Sequence, residues 1–216
     1  MQLQRSMKIY AISGLGADER AFQFLDVPFE VVHVRWIDPQ PDESLNSYAL
    51  RLSQQIDTSE PFALVGLSFG GMLATEMCKF INPAHTILVS SAETRKGLPW
   101  WFRMVGTLNA TRLIPNGFME VPRPVAAWFF GTKNTELLSY ILDDVDVPFT
   151  KWAVRQIMKW DNQSPATNVL KIGGQADRVL PPKRDSKTII LKNAGHFMVV
   201  DKAEQISHLI KKKLTV

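Results

Sequence analysis

The chain has 216 residues, 45% of them apolar and 21% charged, with a formal net charge of +4 at pH 7. That length suits one domain with a substantial core, and the composition is that of an ordinary globular protein. The cations are scattered and their single run, Lys211-Lys212-Lys213, reads as a solvated helix end, so nothing here points to nucleic acid. Apolar runs fall far short of a membrane span, and no membrane partner is expected. No apolar stretch follows the charges of residues 1–8, so no signal peptide is expected, and Met7 reads as an alternative start. The single cysteine, Cys78, rules out an internal disulfide, fits a cytoplasmic location and reads as a small buried packing residue.

In chain order, Lys8 to Ile12 reads as a first strand that enters the turn Ser13-Gly14-Leu15-Gly16-Ala17-Asp18. Glycines after a strand let backbone amides face a ligand, and the N–H of Leu15 is the expected donor. Asp18 is placed to cap a helix over Glu19 to Leu25. A valine-rich second strand is expected over Glu30 to Trp36. A Pro/Asp loop follows, then a helix from Leu45 to Ile56 opened by Ser44.

The third strand, Phe62 to Leu67, is apolar throughout, as a strand buried on both faces requires. It runs into Gly66-Leu67-Ser68-Phe69-Gly70, a G-x-S-x-G pattern, and then into a predicted helix over Met72 to Phe80. A serine at such a strand-to-helix turn sits on a strained backbone that pushes its hydroxyl outward, while the helix N-terminus favours developing negative charge. Gly70, Ala74 and Cys78 form a small-residue stripe that lets this helix lie close on the sheet. A fourth strand spans Thr86 to Ser90. The alternation of strand and helix predicts an α/β architecture, a mostly parallel sheet with helices on both faces.

From about residue 92 to 165 the pattern changes to helices, expected around 99–109, 122–130, 134–142 and 148–160. This stretch holds Trp100, Trp101, Trp128, Trp152 and Trp160, five of the six tryptophans, together with Phe102, Phe118, Phe129 and Phe130. An aromatic-rich insertion of this kind is expected to form a helical cap over a pocket within a single domain. Asp143, Asp144 and Asp146 read as a solvated helix end, and no metal is expected because no histidine accompanies them. Alternation then resumes with strands over Val169 to Gly174 and Lys187 to Leu191, and a last amphipathic helix over Ala203 to Lys213.

Ser68, Asp177 and His196 each stand just past the C-terminal end of a strand, on the one sheet edge where ligands collect. Their chain order, Ser, then Asp, then His, is the order an elbow of this type takes. Of the other histidines, His33 reads as mid-strand, His85 as loop and His208 as helix surface; Glu93 is the alternative acid.

On the stretches Gly66 to Gly71, Gly173 to Pro181 and Ala194 to Phe197, with the Ser13-Gly14-Leu15-Gly16 turn, the chain resembles the α/β-hydrolase superfamily, above all its small single-domain bacterial members. The chain has Ser13 where the family often has histidine, and lacks the first two strands of larger members. The resemblance implies a six-stranded sheet with the first strand between the second and third. It also implies Ser68 as nucleophile, His196 as base and Asp177 as its orienting acid, with the N–H groups of Leu15 and Phe69 binding an oxyanion. The implied substrate is a small apolar carboxylic ester or thioester, with Trp100, Trp101, Phe102, Val179, Phe197 and Met198 as pocket candidates. A C–C hydrolase, a perhydrolase, a hydroxynitrile lyase or a small-ligand receptor keeping the triad are the alternatives. No cofactor is expected, because Gly14-Leu15-Gly16 lacks the third glycine of a dinucleotide loop. Oligomeric state is left open.

Overall fold

The computed structural model describes residues 7–107, 122–183, 185 and 187–215. Six parallel strands, β1 (Lys8–Ile12), β2 (Val31–His33), β3 (Phe62–Leu67), β4 (His85–Val89), β5 (Val169–Gly174) and β6 (Thr188–Leu191), form one sheet in the order β2-β1-β3-β4-β5-β6. As expected, β1 lies between β2 and β3, pairing Tyr10 with Val32 on one side and with Leu64 on the other. The strand order therefore reverses between β1 and β3, and a crevice opens at their C-terminal ends.

The period-two alternation of each strand divides the core into two layers. Tyr10, Ile12, Phe62 and Leu64 face helices α1 (Leu45–Ser53) and α2 (Phe69–Met77). Ile9, Ala11, Ala63 and Val65 face the last helices, α7 (Met198–Asp201) and α8 (Ala203–Leu214), through Met198, Ile206 and Ile210. Both faces are covered, which is why β3 reads as a continuous apolar run.

Several predicted elements differ in extent. The second strand is only Val31–His33, because it is an edge strand paired to β1 alone. Beyond it the chain turns, and the Trp36 indole donates to the Ala17 carbonyl at 2.9 Å. The helix expected over Glu19 to Leu25 is a single 3-10 turn, Glu19–Phe22, capped by the Asp18 side chain at Arg20 N–H. Helix α2 begins at Phe69, earlier than expected, because Gly70 and Gly71 lie inside its first turn. A Cβ on Gly70 would collide with the carbonyls of Ile12 and Ser13. The glycine that looks like a helix breaker is what lets the helix approach β1 so closely.

Between β4 and β5 stand α3 (Trp100–Thr107), α4 (Arg123–Phe130), α5 (Thr135–Asp143) and α6 (Val147–Lys159), near their expected positions. Phe118 and the last two residues of the helix expected at 99–109 lie outside the described residues. Two tryptophans tie this segment down. The Trp152 indole donates to the Glu43 carbonyl at 3.0 Å, and the Trp160 indole donates to Glu76 Oε1 at 2.8 Å. Glu76 is buried on α2, and its carboxylate also accepts from Asn46 and Lys79. A buried carboxylate with every oxygen engaged is a stable anchor rather than an expense.

Candidate active site

Ser68 follows β3 directly and precedes α2, with φ 51° and ψ −117°. This strained conformation is held from both sides, since Ser68 N–H donates to Val89 O at 2.9 Å and its carbonyl caps the helix. Gly66 makes the turn possible: a Cβ there would run into the backbone of Gly70 and Gly71.

His196 and Asp177 come from the loops after β6 and β5. Ala176 N–H donates to Ala194 O at 2.8 Å, which binds the two loops together. His196 Nε2 is 2.9 Å from Ser68 Oγ, and His196 Nδ1 is 2.8 Å from Asp177 Oδ2. A carboxylate can only accept, so Nδ1 carries the proton and Nε2 is free to accept from the serine hydroxyl. The other carboxylate oxygen, Asp177 Oδ1, accepts from the N–H groups of Val179 and Leu180 at 2.9 and 2.8 Å. Asp177 and His196 are each only 4% exposed, so these bonds operate away from bulk water.

Glu93, the alternative acid, does not reach this histidine. It pairs instead with Lys171, Nζ to Oε2 at 3.4 Å, and Lys171 is shared with Asp185 at 2.8 Å. The three other histidines also lie apart from the cluster. His33 Nδ1 is 3.7 Å from Glu19 Oε2, His85 Nδ1 is 2.9 Å from Asn168, and His208 is exposed on α8. Cys78 is 3.4 Å from the Thr86 hydroxyl, and burial pushes its thiol above the ordinary value, which leaves it a poor nucleophile.

The Gly14–Ala17 turn lies against the serine, with an added Gly14 Cβ in van der Waals contact with Ser68 Cβ at 3.4 Å. Ser13 supplies the hydrogen bonding at the position where the family often has histidine: its buried hydroxyl donates to Ala17 O at 2.7 Å. Ala17 N–H closes the turn on Gly14 O at 3.0 Å. Phe69 is the first residue of α2, and a first-turn N–H has no partner within its own helix. Leu15 and Phe69 both line the cavity above Ser68.

That cavity has a volume of about 670 Å³ and holds Ser68 and His196 in its wall. Trp101, Phe102, Val179 and Phe197 line it. Two of the named candidates do not. Trp100 is 65% exposed on the outer side of α3, and Met198 is fully buried against the α7–α8 face of the sheet. In each case adjacent residues point to opposite sides of a helix or turn, a choice that composition does not record. Most of the lining went unforeseen: Met72 on α2, Phe129 and Phe130 on α4, Leu138 and Ile141 on α5, and Val154, Ile157 and Met158 on α6. The 3.6-residue apolar period of these helices is the signal that could have found them. Arg123, at the start of α4 and paired with Asp143, is the one charged lining residue among the described residues.

Helix α4 also touches the reactive loops directly. The Phe130 carbonyl accepts from His196 N–H at 2.7 Å and from Phe197 N–H at 3.2 Å. The Arg178 guanidinium donates to Trp128 O at 2.6 Å and lies 4.5 Å from the centre of that indole ring. Asp144 and Asp146 are placed at the other end of the segment, where Asp144 pairs with Arg20 and Asp146 caps α6 at Phe149 N–H. Among the described residues no group of three His, Cys, Asp or Glu side chains could hold a metal, and no helix is long and apolar enough to cross a membrane.

Strand order, elbow and loop placement together define an α/β hydrolase, and the alpha/beta hydrolase family model matches residues 9–209. The chain belongs to that family. No curated protein matches it. Among solved structures, a thermophilic esterase from Thermogutta terrifontis superposes with a TM-score of 0.68 at 17% identity, covering 97% of this chain and 90% of that one. A meta-cleavage product hydrolase from Pseudomonas fluorescens gives 0.66 at 16% identity, covering 97% and 91%. MenH from S. aureus gives 0.66 at 15% identity, covering 99% and 95%. The chain is a hydrolase of this fold, and at such identities the neighbours share its architecture rather than its substrate.

Proposed function

We propose that the chain is a serine hydrolase that cleaves small apolar carboxylic esters or thioesters through an acyl-enzyme. The observation that carries this reading is the unbroken bond series Ser68 Oγ to His196 Nε2, then His196 Nδ1 to Asp177 Oδ2, at the wall of an apolar cavity. Ser68 Oγ attacks the acyl carbon while His196 Nε2 takes its proton, and Asp177 holds the imidazole tautomer and stabilises the imidazolium. The N–H groups of Leu15 and Phe69 receive the oxyanion, each such donor contributing about 3 kcal/mol to the transition state. His196 then returns the proton to the leaving alcohol or thiol, and water repeats the sequence to release the acid. In this reading residues 92–165 form a cap over the site within a single domain, the partner is a small molecule, and the reaction runs in the cytoplasm without a cofactor.

A second reading is hydrolysis of a carbon–carbon bond beside a carbonyl, since the meta-cleavage product hydrolase shares this fold at a TM-score of 0.66. Turnover of p-nitrophenyl esters of increasing acyl length tests the ester reading. An ester hydrolase releases nitrophenol continuously and with a preference among acyl-chain lengths. A protein that binds the ester and releases no nitrophenol would contradict the esterase reading.

A further inference from the structure

We propose that Ser91 is a positioning residue for the oxyanion-binding N–H of Phe69, an inference that rests on the serine-hydrolase reading above. Ser91 stands two residues beyond β4 and does not line the cavity. Its hydroxyl donates to the carbonyl of Ser68 at 2.6 Å. That carbonyl oxygen and the N–H of Phe69 are opposite ends of a single planar trans peptide unit. Gripping one end therefore aims the other.

The torsion that swings this unit is ψ of Ser68, which stands at −117° with φ at 51°. An L-residue does not hold that pair of angles unaided, so its surroundings must fix it. Two further donors reach the same carbonyl, Gly71 N–H at 3.0 Å and Met72 N–H at 3.4 Å, and both belong to α2 itself. The Ser91 bond is shorter than either, and among the described residues it is the one that comes from outside the helix. It ties the elbow to β4, a neighbouring strand, rather than to the element whose first turn it aims. A hydrogen bond to a peptide carbonyl also polarises the unit and strengthens its N–H as a donor.

The surroundings fit this role. Gly71 leaves the space that Ser91 occupies, since a Cβ there would collide with the Ser91 side chain. The turn that carries Ser91 is itself fixed. Ser90 N–H donates to Ile172 O at 2.9 Å, the Asn162 side chain donates to Glu93 O at 3.1 Å, and Arg95 N–H donates to Asn162 O at 2.8 Å. The second oxyanion donor has a matching device, because Ser13 Oγ closes the turn around Leu15 through its bond to Ala17 O at 2.7 Å.

The test compares the intact protein with Ser91→Ala and Ser91→Thr, using a fluorophosphonate probe for inactivation and p-nitrophenyl butyrate for turnover. Ser91→Ala is expected to lower both the inactivation rate constant and kcat by roughly ten- to a hundredfold. KM, melting temperature and the pH profile stay near those of the wild type, and Ser91→Thr, which keeps the donor, recovers most of the rate. Unchanged rate constants in a folded Ser91→Ala protein would overturn the proposal. So would a rate loss matched by a falling melting temperature that Ser91→Thr fails to restore. A wild-type protein inert to both reagents would instead overturn the hydrolase reading, and this inference with it.

Discussion

The loops at the sheet edge and the helices between β4 and β5 are held in place by different means. At the edge most ties run through backbone groups: Asp177 Oδ1 accepts from two N–H groups, the His196 N–H donates to the Phe130 carbonyl and the Ser68 N–H donates to Val89 O, with the Ser91 hydroxyl added on the Ser68 carbonyl. The helical segment is fixed by side chains. It is held by Trp152 on Glu43 O, Trp160 on Glu76, Arg178 against Trp128 and Arg20 on Asp144. Backbone ties survive substitution, whereas side-chain ties change with single residues. In the proposed reading the sheet edge carries the bond-breaking geometry and the helices the choice of substrate, with the His196–Phe130 bond as a point where the two meet.

The largest effect that could break this division lies at the sheet edge. Asp177→Asn is expected to lower kcat by about ten-thousandfold while leaving the fold intact, because it loses the tautomer control. Glu93→Gln removes a largely buried ion pair with Lys171 that does not involve His196, and is expected to leave kcat near wild type. If the two variants exchanged these outcomes, the acid would be Glu93 rather than Asp177. Steady-state kinetics with circular dichroism as a folding control decides it.

A second variant tests how tightly the elbow is packed. Gly70→Ala drives a methyl group into the carbonyls of Ile12 and Ser13, and overpacking of this kind costs about 1–3 kcal/mol. Urea unfolding should show that loss together with a fall in kcat, since the displaced helix carries Phe69. On the helical side, Val154→Trp fills part of the cavity. It is expected to lower kcat/KM for long-chain p-nitrophenyl esters by about tenfold while sparing the acetate. An equal loss for all chain lengths would erase the proposed separation of chemistry from selectivity.

The smallest effect is one of stability at low pH. The hydrogen bond from Lys171 holds the Asp185 carboxyl down from 3.8 to about 2. A depressed carboxylate contributes stability above its unfolded value and loses it as pH falls through the folded value. Asp185→Asn should therefore lower the neutral-pH melting temperature slightly and flatten its dependence between those two values. Activity at neutral pH should not change.

What the sequence made legible follows the range of the interactions involved. The β3 run, Gly66, Ser68 and Gly70 are neighbours in the chain, so their meaning is local and readable. Asp177 and His196 were readable because each follows a strand of the same parallel sheet, which topology alone brings to one edge. Contacts between remote stretches were not readable. Nothing in the letters around Ser91 shows that its hydroxyl reaches Ser68, or around Phe130 that its carbonyl holds His196. The same limit explains Trp100 and Met198. Each has neighbours in the chain that do line the cavity, and each turns away from it because the face of an element is set by what packs against it.

Covalent labelling tests the central claim most directly, namely that His196 and Asp177 activate the Ser68 hydroxyl. The intact protein, Ser68→Ala and Asp177→Asn are each treated with a fluorophosphonate, and the adduct is mapped by peptide mass spectrometry. The account predicts one adduct per chain, on Ser68, formed fast in the wild type, slowly in Asp177→Asn and not at all in Ser68→Ala. An adduct on another residue, or labelling that persists in folded Ser68→Ala, would contradict it.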